Sequence, residues 1–258
     1  MKLRLLSLFL IPALFFVACS DDDDSTPVDP GTTITITSFV PISGPAGSIV
    51  TIKGSNFGTD ASGITIKFGG ITVTPFSLTN TEIKIKVPAE LPKGATTIEV
   101  QRGTGKKVSI QYTVEDPIVG IWTSEGVGNV APLLYGAPFN VRKIVATFKA
   151  DGSYLVVQTD SNNTSLTLTG TYVATTGTAP APNDKIRLVT VTQGSPSALT
   201  AEGIYEVTVG ATEISMKYEI VQTEPPLSGV TKPTPEGGFG STAGGAFGVL
   251  NIQKYVKK

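Results

Sequence analysis

Cys19 is the only cysteine in the sequence, and it is followed at once by Ser20 and four consecutive aspartates, Asp21, Asp22, Asp23 and Asp24. A thiol can attack an electrophile, bind a metal, pair with another thiol or carry a lipid. With no second cysteine, an intrachain disulfide is excluded. Histidine is absent as well, which removes the commonest general base and the commonest metal ligand. A pair of carboxylates can hydrolyse a glycoside. From Gly31 onward, however, the 16 acidic residues are spread thinly and no pair stands out by spacing. Asp151-Gly152 is one carboxylate in a turn, without the further spaced acids of a calcium loop. The expectation is therefore a protein that is not an enzyme, with no cofactor and no metal site.

What precedes Cys19 gives that thiol a use. Lys2 and Arg4 form a short basic start, Leu5 to Val17 is almost wholly apolar, and Ala18 is the small residue before the cysteine. Those are the parts of a secretory signal. The apolar run is well short of the roughly 20 residues a helix needs to cross a hydrocarbon layer of ~30 Å. Leu14 to Cys19 resembles a bacterial lipobox, although Phe16 stands where leucine is usual. The resemblance implies cleavage after residue 18 and acylation of Cys19, the new N-terminus, with lipid. A multiply acylated terminus anchors stably because each buried methylene contributes ~0.8 kcal/mol. Asp21 to Asp24 is similar to the acidic export signal of Bacteroidota surface lipoproteins. The same run also serves as an extended, solvated tether over residues 19–33. The implied location is the outer membrane, lipid-anchored and facing the cell exterior.

Binding chemistry, if present, belongs to aromatic rings on loops. Two long irregular stretches interrupt the distal half: Ser124 to Asn140, and Glu224 to Gly248. Tyr135, Phe139 and Asn140 lie in the first and Phe239 in the second. An aromatic face can stack on a pyranose while amides take its hydroxyls. The same rings can instead plug a barrel mouth or tuck their own loops down. The second loop is glycine-rich but lacks the ending of a phosphate-binding loop.

The elements that must hold these loops are strands. Forty per cent of residues are hydrophobic, and the chain has 28 glycines and 18 prolines. With frequent Thr, Val and Ile this reads as an all-β protein rich in turns. From Gly31 onward there are 18 basic and 16 acidic residues, a net of +2, with no basic cluster. Nucleic acid is excluded as a partner on that ground.

Residues 34–114 carry seven short period-two runs with turns between, the pattern of an immunoglobulin-like sandwich. Pro41-x-Ser43-Gly44-Pro45-x-Gly47, Gly54-x-Asn56-Phe57-Gly58, Phe68-Gly69-Gly70 and the closing Tyr112-Thr113-Val114 resemble the IPT/TIG family of immunoglobulin-like domains. These are turn and packing residues, so the resemblance implies a fold and no ligand. Phe57 is expected to plug one end of the sandwich.

Glu115-Asp116-Pro117 is a short stiff joint. Beyond it, residues 117–258 show about eight antiparallel runs, which can close into a barrel. Gly120-x-Trp122 with Ala146 to Tyr154 is similar to lipocalin-like domains of Bacteroidota lipoproteins. In that setting Trp122 closes the barrel floor. By analogy with polysaccharide-uptake lipoproteins, the first domain is a spacer beneath a carbohydrate-binding second domain. An outer-membrane transporter or other surface lipoproteins are the implied protein partners. Two alternatives stay open: a barrel for a small hydrophobic ligand, and a structural or adhesive module. Replacing Asp21 to Asp24 with alanine is expected to reduce protease accessibility of the protein on intact cells; unchanged accessibility would refute the export role of the run.

Overall fold

A computed structural model describes residues 33–177 and 179–258. The signal segment, Cys19 and Asp21 to Asp24 lie outside the described residues. The chain is all-β: an immunoglobulin-like sandwich followed by a closed eight-stranded antiparallel barrel.

The sandwich has a sheet of β1 (Thr35–Val40), β3 (Ile49–Ser55), β7 (Glu82–Lys86) and β6 (Ser77–Leu78), in the order β1-β3-β7-β6. Against it lies the sheet β2-β9-β8-β4-β5, made of β2 (Ser43–Gly44), β4 (Ile64–Phe68), β5 (Ile71–Thr72), β8 (Gly94–Arg102) and β9 (Val108–Val114). Alternation decides which face is buried. In β4, Ile64, Ile66 and Phe68 point inward, and in β7, Ile83 and Ile85 do the same. Phe57 is fully buried at one end of the sandwich. Gly54 is required beside it, because a Cβ there would lie 1.9 Å from the Thr35 carbonyl oxygen and 2.6 Å from Phe57 Cζ.

The barrel is a simple meander: β10 (Gly120–Glu125), β11 (Val141–Phe148), β12 (Ser153–Asp160), β13 (Ser165–Thr176), β14 (Arg187–Ser195), β15 (Leu199–Val209), β16 (Ile214–Glu224) and β17 (Gln253–Lys257). β17 pairs with both β16 and β10 and so closes the ring. β15 runs through Gly203, where a glycine lets β15 and β16 approach: a Cβ there would lie 2.0 Å from the Glu219 carbonyl oxygen. Val249 and Leu250 belong to a 3₁₀ turn, Gly248–Asn251, and not to the last strand. Asn251 Nδ2 donates to the Ile220 carbonyl at 2.9 Å and fixes that turn against β16.

The joint is tied to both domains. Glu115 accepts a 2.7 Å hydrogen bond from the Ser43 hydroxyl in the sandwich. The buried Asp116 carboxylate accepts from the Tyr205 hydroxyl at 2.6 Å and from the Ile118 N–H at 3.1 Å in the barrel, with Arg187 at 3.9 Å. At Gly47 the sandwich approaches the β15–β16 hairpin so closely that a Cβ would lie 2.6 Å from Ile214 Cδ1. The barrel end formed by the turns at 149–152 and 210–213 therefore faces the sandwich. The loop at 126–140 lies at the opposite end, where the segment 225–252 begins and finishes. Between those points that segment runs down the outside of the barrel, with Asn183 Nδ2 donating to the Glu236 carbonyl at 3.5 Å.

Trp122 is fully buried at the sandwich-facing end, with its Nε1 donating to the Ile118 carbonyl at 2.6 Å. Lys257 Nζ donates to the Val119 carbonyl at 2.8 Å and sits 5.1 Å from the centre of the Trp122 ring. Burial pushes the Lys257 ammonium down to about 8, with Glu115 acting weakly against the shift. An unfolded lysine titrates near 10.4, so between about pH 8 and 10.4 the unfolded chain binds more protons and stability rises with pH. Urea unfolding of the wild type and of Lys257→Met is expected to show the difference between them moving in favour of the wild type as pH rises through that window, and staying flat below it.

Candidate functional site

Eight strands of a closed barrel leave an interior that side chains can fill or a ligand can share. At the sandwich-facing end Trp122, Tyr205 and Met216 fill it. Toward the other end they do not. A cavity of about 450 Å³ opens there, within the usual range of small-ligand sites.

Inward positions of the strands build its walls. On β16 the alternation Met216, Tyr218, Ile220, Gln222 runs from the packed end to the mouth, and on β14 Val189, Val191 and Gln193 do the same. Phe148, Tyr154, Tyr218 and Tyr255 form an aromatic wall, with ring centres 6.2 to 6.3 Å apart from Tyr154 to Phe148, Phe148 to Tyr218 and Tyr218 to Tyr255. Aliphatic residues such as Ile144, Leu168, Val191 and Ile220 make up most of the rest. Leu133, Phe139, Leu227 and Phe247, from the two long loops, rim the mouth. No lining residue carries a charge. Burial raises the phenols of Tyr154, Tyr218 and Tyr255 above the usual tyrosine range, so all three stay protonated and neutral.

Of the residues singled out from the sequence, one reaches this cavity. Phe139 lines the mouth and is 60% exposed. Tyr135 ends a short helix, α1 (Pro132–Tyr135), and one face of its ring is covered by the Arg142 guanidinium 4.1 Å from the ring centre. Arg142 also donates to the Tyr135 carbonyl at 2.7 Å. Asn140 adopts a left-handed backbone with φ 53°, its side chain donating to the Pro138 carbonyl at 3.3 Å, and so works as a turn residue. Phe239 lies on the outside of the barrel, with Lys217 Nζ 5.6 Å from its ring centre. The four do not form one row.

The loop bearing Phe239 is held by Glu219. This carboxylate sits on the outward face of β16 and is fully buried under residues 225–252. It accepts from the Gly240 N–H at 2.6 Å, the Thr242 N–H at 3.1 Å and the Thr242 hydroxyl. Several donors converging on one buried carboxyl group offset the cost of its burial. The glycines are what allow the backbone to turn its N–H groups toward one point: Gly238, Gly240 and Gly244 all have positive φ.

The amides Gln193, Gln222 and Asn251 were missed in reading the sequence, as were the aromatics of the wall. A signal for the glutamines was present: each continues an inward-facing apolar register, where a polar residue stands out.

These features define a class of protein: an immunoglobulin-like domain carrying a closed β-barrel with an apolar internal site. The IPT/TIG domain model matches residues 34–123, about a third of the chain. No curated protein matches the sequence. Among solved structures, an auxiliary nutrient binding protein from Bacteroides thetaiotaomicron is 14% identical, over 75% of this chain and 59% of that one, with a TM-score of 0.28. A surface glycan-binding protein from Prevotella bryantii is 11% identical, over 65% of this chain and 41% of that one, with a TM-score of 0.28. A structural genomics protein of unknown function from Bacteroides thetaiotaomicron is 18% identical, over 73% and 56%, with a TM-score of 0.31. The chain spans about half the length of three of the solved structures it matches, between 46% and 59% of each.

Glu219→Gln places an N–H₂ group among three donors. Limited proteolysis is expected to cut the variant within residues 225–252 much faster than the wild type, with a loss of about 1–3 kcal/mol in stability. Equal cleavage rates would mean that the loop is held by its apolar contacts instead.

Proposed function

We propose that this is a binding protein whose barrel takes a small, uncharged, largely apolar ligand, and that it has no enzymatic activity. The cavity of about 450 Å³ carries this reading: its aromatic and aliphatic lining and its lack of any charge suit such a ligand. The sandwich serves as a spacer. The chain enters it near Thr33, whose carbonyl accepts from Asn56 beside the Phe57 plug, at the end away from the barrel. Lipid on Cys19 would then anchor the protein to the outer membrane on one side and hold the cavity mouth away from it. Asp21 to Asp24 would direct that arrangement to the cell exterior, where an outer-membrane transporter or another surface lipoprotein is the natural recipient of the ligand.

Carbohydrate binding is the second reading, and exposed Phe139 at the mouth favours it. Phe139 and Phe247 are the rings at the rim, and the cavity beneath them is mostly apolar, which suits a ligand with few hydroxyls better than a sugar chain. The apolar reading therefore comes first.

A neutral dye, N-phenyl-1-naphthylamine, is expected to bind the purified protein saturably, with enhanced and blue-shifted fluorescence. Ala201→Phe, which fills the cavity from β15, is expected to weaken binding by at least about tenfold, while Phe239→Ala leaves it unchanged. Absence of saturable binding, together with retardation in a polysaccharide gel that Phe139→Ala abolishes, would replace this reading with the carbohydrate one.

A further inference from the structure

Five amides interrupt the apolar lining, and the way three of them are tied down bears on the polar end of the ligand. Gln193 Nε2 donates to the Ser197 carbonyl at 2.9 Å, and Gln222 Nε2 to the Pro225 carbonyl at 2.7 Å. Asn251 Nδ2 donates to the Ile220 carbonyl at 2.9 Å and to the Thr242 hydroxyl at 3.4 Å. A backbone carbonyl can only accept, so each amide must turn its N–H₂ toward the wall. The orientation is thus fixed by the partner. What remains is Oε1 of Gln193, Oε1 of Gln222 and Oδ1 of Asn251, none of which accepts a hydrogen bond from the described residues.

Gln193 is only 7% exposed as a residue and lines the cavity, so the cavity is where its free acceptor can meet a donor. A ligand that supplies a donor there takes the place of water. The other amides differ. Gln253 is spent on the wall itself: its Oε1 takes the Ala131 N–H at 3.0 Å, and its Nε2 serves the Ser124 hydroxyl and the Asn129 carbonyl. Gln158 makes no hydrogen bond to the described residues and is free to present either end of its amide.

The same surroundings reject an anion. A carboxylate would meet three fixed acceptor oxygens and, with no charged residue in the lining, no cation to balance it. The hydroxyls of Tyr154, Tyr218 and Tyr255 can donate or accept, so they accommodate either group and do not offset the missing charge.

Resting on the apolar-ligand reading above, we propose that the ligand is an uncharged apolar alcohol, with its one hydroxyl proton donated to the acceptor of Gln193 and its hydrocarbon body lying along the aromatic wall. The class includes long-chain alcohols and compact polycyclic alcohols, and it excludes fatty acids in their ionised form.

The test is displacement of N-phenyl-1-naphthylamine from the wild-type protein by three probes of one chain length: 1-decanol, decyl methyl ether and decanoate at neutral pH. Decanol is expected to displace the dye at a concentration about tenfold or more below either of the others, since the ether lacks the donor and decanoate adds a charge. Gln193→Leu, checked for fold by circular dichroism, is expected to shrink that advantage to within about threefold by weakening decanol and not the ether. Equal potency of decanol and its ether, or decanoate as the tightest of the three, overturns the alcohol proposal while leaving the apolar site standing. Failure of the dye to bind at all overturns both.

Discussion

Everything distinctive in the distal domain depends on a five-residue strand finding two partners. β17 pairs Gln253 to Val256 with β16, and Val256 and Lys257 with β10. An eight-stranded meander without that step would have two open edges and no interior. Closure also sets the chemistry of the interior. It brings Tyr255 into the aromatic wall, Gln253 into the hydrogen bonds that seat the turn before α1, and Lys257 over Trp122. The segment that delivers β17 is the loop of residues 225–252, and Glu219 fastens that loop to the barrel wall. A buried carboxylate on the outside of β16 and the cavity on its inside are two faces of one strand.

The joint between the domains extends this economy. Glu115 and Asp116 are adjacent in sequence but bond in opposite directions, the first to Ser43 of the sandwich and the second to Tyr205 and the Ile118 amide of the barrel. Burying Asp116 is tolerable because donors meet its carboxylate. The packed end of the barrel is also the end that meets the sandwich. Rigidity at the joint and openness at the mouth are thus segregated along the barrel axis.

The strands were legible in the sequence because period-two alternation is a local property. Ile64-Thr65-Ile66-Lys67-Phe68 can bury only one face, and it does. Asp151-Gly152 was legible as a turn for the same reason, with Gly152 at φ 83° and Asp151 bonding the Ser153 N–H. The site was less legible because its determinants are not local. Phe239 sits among glycines in a long loop, which in sequence suggests an exposed ring, but the position of that loop is decided by Glu219, twenty residues upstream. Tyr135 is taken by Arg142, a residue that nothing in the sequence links to it beyond nearness. Conversely, Tyr218 and Gln222 look like ordinary members of a strand, and only closure of the barrel shows that they face a space no side chain fills.

That space is itself an argument about selection. A barrel of this size can be filled by its own side chains, and the half beside the sandwich is filled, by Trp122, Tyr205 and Met216. The other half has small or slender residues at inward positions, among them Ala131, Ala201 and Val191, where larger ones would close the gap. Protein interiors pack densely because unfilled apolar volume forfeits dispersion contacts. The sequence fills one half and leaves the other open, with Gln193 among the residues that line the opening. In the binding reading proposed above, a ligand would supply those contacts.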